Sequence, residues 1–325
     1  MTREGHERVL AYLRQNGESR VVDILHHLQI SKQALHKQLA SLISSGQIQK
    51  RGKAPKVFYS LTKVSTQSEQ VEAVEPALEK FVNEHYLNVT PDGRKLHGLE
   101  GFKVWCAKHK LPLEKTAREY RQTLGPYLKL RKNNLLDGTK KIAGTFEKMW
   151  LDKLYYIDFY STPRFGKTKL GQLVLYAKQS QDRKIIAELI AEIRTNILKV
   201  IKRGRYDAIG FVPPSVKREV QLMRELERGL QTGSPVLKIE KISTPVRVPQ
   251  KSLNKLADRI ENAKATFVVT DKNRFSKVLL IDDAVGSGAT MNEIAAKIKG
   301  RGVAKIVNGL AIVGSLKGFD VISEV

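Results

Sequence analysis

Residues 278–290 read Val-Leu-Leu-Ile-Asp-Asp-Ala-Val-Gly-Ser-Gly-Ala-Thr. Two adjacent carboxylates, Asp282 and Asp283, stand between an apolar run and a loop of small residues. Carboxylates accept hydrogen bonds from hydroxyls. Gly286, Ser287 and Gly288 let backbone amides approach a phosphate closely. A helical pattern opens at Thr290, and the positive end of a helix favours an anion. Acceptors for hydroxyls beside a cradle for phosphate describe a sugar-phosphate site. Other phosphate motifs fit less well. A Walker loop needs a lysine before its terminal Ser or Thr, and Thr290 follows Ala289. A dinucleotide fingerprint needs a third glycine three residues after the second, and that position is Met291.

Such a site needs a strand to deliver the acids and a helix to receive the anion. Val278–Ile281 suits a strand buried on both faces, as in a parallel sheet. From Leu154 onward strands and helices alternate. Tyr155–Tyr160 and Asp207–Val212 read as strands, the second ending in Pro213-Pro214-Ser215. Arg183–Lys202 and Lys217–Leu230 read as helices. Val236–Ile239, Thr266–Val269 and Val303–Val313 complete a mostly parallel sheet. Alternation of this kind predicts an α/β domain with ligands at the carboxyl ends of its strands.

The 278–290 segment resembles the phosphoribosyl pyrophosphate (PRPP) motif of type I phosphoribosyltransferases. Further stretches narrow the likeness: Arg247-Val-Pro-Gln-Lys-Ser-Leu, Arg259-Ile-Glu-Asn262, Phe267, and Gly318-Phe-Asp-Val-Ile-Ser-Glu-Val. Together they are similar to the competence protein F (ComF) branch of that family, over residues 151–325. The resemblance implies a type I phosphoribosyltransferase-like domain. Asp282 and Asp283 would hold the ribose hydroxyls of PRPP. Ala284, Val285, Gly286, Ser287, Gly288, Ala289 and Thr290 would hold its 5′-phosphate. Pro213, Pro214, Ser215 and Lys217 correspond to the pyrophosphate loop, and Arg247, Lys251 and Arg259 to a flexible loop that closes over the site. Mg2+ would arrive with PRPP, with no direct protein ligand assigned. Two departures stand out. The chain lacks the cysteine-rich zinc module common in ComF proteins, and their Arg-Gly-Phe-Asn-Gln stretch appears only as Arg228-Gly-Leu-Gln231.

Residues 1–63 read as a separate unit. Val9, Leu10 and Leu13 mark one helix, and Val21, Ile24, Leu25 and Leu28 a second. Ser31 is an N-cap for a third that buries Leu35, Leu39, Leu42 and Ile43. A basic tip, Lys50-Arg51-Gly52-Lys53-Ala54-Pro55-Lys56, precedes an alternating strand at 57–61. This order predicts a winged helix-turn-helix, similar to the DNA-binding domains of small bacterial regulators. Residues 31–63 carry seven Lys or Arg and no Asp or Glu. Lys32, Gln33, His36 and Lys37 would face the major groove. Lys50, Arg51, Lys53 and Lys56 would contact phosphates or the minor groove.

Residues 64–150 read as a polar linker followed by a mainly helical region that spaces or couples the two ends. Its breaks include Pro91-Asp92-Gly93. Phe102, Trp105 and Tyr120 read as core. Arg118, Arg121, Lys129, Arg131 and Lys132 read as a solvated helix surface. His97, Cys106 and His109 match no standard metal spacing.

The chain of 325 residues carries a net charge of +24, which points to nucleic acid or polyphosphate partners. The single Cys106 excludes an intramolecular disulfide framework and a multi-cysteine zinc site. The N-terminus lacks a signal-peptide core, and no apolar run reaches the ~18 residues of a spanning helix. The expectation is a cytoplasmic protein without a membrane partner. Three functions fit. One is a DNA-binding transcriptional regulator that senses PRPP or a related nucleotide, as certain bacterial purine repressors do with a winged helix joined to this fold. The second is an active phosphoribosyltransferase that transfers phosphoribosyl to a base or amine. The third is a ComF-like DNA-uptake or nucleic-acid-handling accessory. Half-site reading usually needs two winged helices, so a homodimer is compatible with the first.

Overall fold

The computed structural model describes residues 3–62, 74–216, 218–242, 253 and 255–315. They fall into two compact units, on either side of a boundary between residues 71 and 72. The first contains α1 (Arg3–Asn16), β1 (Ser19–Arg20), α2 (Val21–Leu28), α3 (Lys32–Ser44), β2 (Ile48–Lys53) and β3 (Lys56–Leu61). Ser31 starts α3 as its spacing predicts, accepting the Ala34 N–H at 3.2 Å. Val9, Leu13, Ile24, Leu35, Leu39 and Leu42 are buried together at the centre of the three helices. Strands pair antiparallel in the order β1-β3-β2. The hairpin of β2 and β3 turns at its basic tip, where Gly52 has φ +86° and a Cβ would collide with the Lys56 carbonyl. Three helices and a small antiparallel sheet with a projecting hairpin are the parts of a winged helix.

The second unit is a mixed α/β structure. It opens with α4 (Pro76–His85), β4 (Leu87–Val89), β5 (Lys95–His97), α5 (Gly98–His109) and α6 (Leu113–Lys129). Next come β6 (Leu136–Asp137), α7 (Thr139–Ala143), β7 (Lys153–Phe159), β8 (Ser161–Thr162), β9 (Gly166–Lys167), α8 (Lys169–Ser180) and α9 (Arg183–Gly204). The remainder is β10 (Ala208–Phe211), α10 (Leu222–Leu230), β11 (Ile239–Lys241), α11 (Leu256–Thr266), β12 (Phe267–Val269), β13 (Phe275–Val285), α12 (Ala289–Gly300) and β14 (Ala304–Gly314). The central sheet runs β10-β13-β14-β7-β6, parallel except at β6. Val278–Ile281 is fully buried at its centre, in register with Ala208–Phe211 on one side and Val307–Leu310 on the other.

Helices cover both faces. The first face buries Leu173 and Val174 of α8, Ile193 and Ile197 of α9, and Leu226 of α10. The second buries Met291, Ile294 and Ile298 of α12 with Phe267 and Ala263. Val236 bridges Ile209 in parallel, on the edge of β10 away from β13. β10 therefore leads through α10, on the first face, to a neighbour on one side. β13 leads through α12, on the second face, to β14 on the other side. The chain reverses its winding between β10 and β13, which makes that gap the topological switch point where open α/β sheets leave a crevice for ligands.

The segment before β7 is built into this unit. Phe102 and Tyr120 are buried among α4, α5 and α6, and Trp105 packs at their edge. Leu87 joins the core of the first sheet face. β6 pairs with β7 at the sheet edge, and Ile142 of α7 is buried on the second face. The region read as mainly helical holds a hairpin, β4–β5, around Pro91-Asp92-Gly93. There Gly93 takes φ +81° and donates its N–H to Thr90 O at 2.8 Å. Arg131, read as solvent-facing, turns inward instead and pairs with Asp158 of β7. Burial pushes the Asp158 carboxyl up and the guanidinium opposes it. Among the described residues no helix is long and apolar enough to cross a membrane.

Candidate ligand site and nucleic-acid face

β13 carries its acids further than the apolar run suggests. Asp282 and Ala284 still pair in register with Ala311 and Val313 of β14, so both acids lie within the strand, which closes at Val285. Asp282 is part-buried and Asp283 is buried. The Asp283 N–H donates to Asp282 Oδ1 at 2.8 Å. Lys178, in the last turn of α8, puts its ammonium 3.0 Å from Asp283 Oδ1 and 2.9 Å from Oδ2. Among the described residues no cation lies within ion-pair distance of Asp282. Burial pushes the Asp282 carboxyl well above the usual carboxylate range, the charge of Asp283 adds to this, and Lys178 opposes it. The pair is thus an electron-rich acceptor with a single compensating ammonium.

The loop turns at Gly288, which has φ +82° and caps α12. A Cβ there would stand 3.3 Å from Ile142 Cγ2, so α7 closes one side of the loop. Ser287 is buried, and its Oγ lies 3.4 Å from the Ala289 N–H. Val285 O accepts the Ser315 N–H at 3.1 Å, tying the loop to the end of β14. Asn292, one turn into α12, accepts the Trp150 N–H at 2.7 Å and donates to Lys148 O at 3.1 Å. The helix start is therefore braced on two sides, while its first N–H groups lack intrahelical acceptors, as at every helix N-terminus. Ala284 packs toward the first-face core, and Thr290 is part-buried.

Across the switch point, Val212 N–H donates to Ile281 O at 2.9 Å. Pro213, Pro214 and Ser215 follow directly, so they leave the sheet beside the acid pair, with Ser215 exposed. α10 begins only at Leu222. Lys217, Arg247, Lys251 and the stretch from Gly318 lie outside the described residues. Arg259 is part-buried in α11 and donates its Nε–H to Leu253 O at 2.7 Å. Two groups at the site escaped sequence reasoning. Lys178 is far from the motif in the chain and sits in an ordinary helical pattern. Ile142 lies in a region read as a spacer. Among the described residues no three His, Cys, Asp or Glu side chains converge on a metal site.

In the first unit, α3 buries Leu35, Leu39 and Leu42 and leaves Lys32, Gln33, His36 and Lys37 exposed on the opposite side. Lys50, Arg51 and Lys56 are exposed on the hairpin; the Lys53 side chain lies outside the described residues. Arg51 Nη1 reaches Glu18 Oε1 at 2.8 Å. Both partners are exposed, so the pair contributes little and leaves the guanidinium available.

No family model matches the chain. No curated protein matches it either. Among solved structures, it is similar to the Zalpha domain of PKZ crystallised in complex with ds(CG)6, at 32% identity over 19% of this chain and 100% of that one, with a TM-score of 0.19. It is also similar to the apo-Zalpha domain of zebrafish PKZ, at 33% identity over 18% of this chain and 94% of that one, with a TM-score of 0.18.

Proposed function

We propose that the protein is a DNA-binding transcriptional regulator whose second unit is a type I phosphoribosyltransferase-like sensor of PRPP. One observation carries the sensor reading: an acid pair and a glycine loop before a helix N-terminus meet at the topological switch point of a doubly wound sheet. Asp282 and Asp283 would accept the ribose hydroxyls. Backbone N–H groups of 286–290 would donate to the 5′-phosphate, helped by the positive end of α12. The loop after β10, with Ser215, would face the diphosphate. Magnesium suits this donor set. With no protein-only cage among the described residues, the ion would depend on the ligand's phosphates, and it keeps several waters in such sites. Bound, it would offset charge on the diphosphate.

The DNA reading rests on the first unit. Exposed Lys32, Gln33, His36 and Lys37 on one helix side, with a basic hairpin beside them, suit groove contacts and phosphate neutralisation. PRPP can control such a protein only by binding its DNA-competent and DNA-incompetent states with different affinity. Ala284 and Val285 offer no acid or base beside the acid pair, which supports sensing over transfer chemistry.

Calorimetry with Mg-PRPP, run beside an assay for diphosphate release with bases and amines, tests the reading. Saturable binding without turnover is the expected result. Diphosphate release in the presence of an acceptor would make the protein a transferase, and absence of binding would remove the sensor.

A further inference from the structure

Lys178 belongs neither to the motif nor to the loop after β10, yet its ammonium lies against both oxygens of Asp283. The two side chains are only 23% and 12% exposed. An exposed Lys–Asp pair is worth little, whereas removing one partner of an enclosed pair strands the other charge. The location gives the pair a second consequence. Two consecutive carboxylates repel each other, and both would repel a polyanion. A diphosphate on the sugar carbon next to the hydroxyl-bearing ones would come close to them. Burial relieves this on one side by driving Asp282 to keep its proton, and the ammonium on Asp283 offsets the charge that remains. A carboxylate has about four lone-pair directions, so Asp283 can still accept a hydroxyl.

We propose that Lys178 is a positioning and specificity-determining residue of this site: by holding Asp283 it lets the acid pair bind a sugar that carries a diphosphate beside its hydroxyls. This rests on the sugar-phosphate reading above. Lys178 acts through Asp283, and its effect grows with the charge of the ligand near the diol. A ribose phosphate with its only phosphate at the far end would depend on it much less.

Calorimetry on the full chain with Mg-PRPP and with ribose 5-phosphate tests this, using Lys178→Met, Lys178→Gln and Lys178→Arg. Met and Gln should weaken PRPP by about ten- to a hundredfold, the scale of uncovering an enclosed charge, and ribose 5-phosphate by less than about threefold. Arg should recover most of the loss. Equal losses for both ligands, or wild-type PRPP affinity in Met and Gln, would overturn the proposal. A ligand-free melting cycle separates this failure from failure of the sensor reading. Lys178→Met should lower the melting temperature of the wild-type chain and leave that of Asp283→Asn unchanged. An equal drop in both backgrounds would show that Lys178 does not act through Asp283. If the wild type binds no PRPP, the sensor reading falls and the specificity proposal with it, while the melting cycle still reports on the pair.

Discussion

Asp283 has a lysine on both carboxylate oxygens, whereas Lys32 and Lys37 of α3 stand in solvent with no ion pair among the described residues. The two regions handle charge in opposite ways. At the end of β13, charge is enclosed, its partner is fixed, and the second carboxyl is driven to keep its proton. On α3 and the hairpin, charge is exposed and spread over several side chains. Enclosed charge gives recognition that depends on geometry and is little screened by salt. Exposed charge gives attraction that is additive and salt-dependent. On the proposed function, control of DNA binding by a small ligand would draw on both.

Breaking the enclosed side should have the largest effect. Asp282→Asn combined with Asp283→Asn should abolish Mg-PRPP binding, a loss of at least about a hundredfold given that both carboxyl acceptors, the charged Asp283 among them, are removed. Circular dichroism and DNA binding should stay intact. Unchanged affinity in calorimetry would remove the acid pair from the site.

Next in size is the exposed side. Lys32→Ala and Arg51→Ala should each weaken DNA binding severalfold at moderate salt. Where the lost cation met a phosphate, the slope of log affinity against log salt should fall by about one. Gel shifts at two or more salt concentrations check this. Affinity and slope both unaltered would mean that α3 and the hairpin are not the DNA reader. The comparison sharpens if Asp282→Asn leaves that slope untouched.

A smaller effect concerns pH. The raised carboxyl of Asp282 holds a proton that the unfolded chain releases near 3.8. Stability should therefore fall as pH rises from there through the raised folded value, since the folded state binds more protons across that window. Asp282→Asn removes the penalty. It should raise the melting temperature by about 2–4 °C at pH above the window and leave it unchanged in acid. A gain that is the same at every pH would show the carboxyl is not strained. Least of all, Gly288→Ala should cost about 1 kcal/mol through its positive φ, since Ile142 at 3.3 Å needs only a small shift. Chemical denaturation measures it.

The legible parts were those in which neighbours in sequence are neighbours in space. The run from Val278 to Thr290 announces strand, acids, loop and helix, and all four form, although the strand continues to Val285. Ser31 and the spacing of Leu35, Leu39 and Leu42 announce the exposed basic face in the same way, although Ile43, read with them as buried, is exposed at the end of α3. Lys178 was not legible, because nothing in α8 marks which residue of its last turn meets a strand 105 positions later. Residues 136–150 read as part of a spacer because short pieces carry no period. They are held by long-range contacts: β6 on β7, Ile142 against Gly288, and Asn292 on the 148–151 backbone. Thr266, read as the start of a strand, ends α11 instead, its hydroxyl bonded to Asn262 O at 2.6 Å. A β-branched residue followed by Phe-Val-Val looks extended until the helix before it is counted.

The measurement that tests the central claim most directly is capture of genomic DNA fragments by the purified full chain, with and without Mg-PRPP. The account predicts discrete sites whose occupancy changes when PRPP is added, and no such change for the chain carrying Asp282→Asn and Asp283→Asn. Occupancy indifferent to PRPP, or DNA captured without discrete sites, would contradict it.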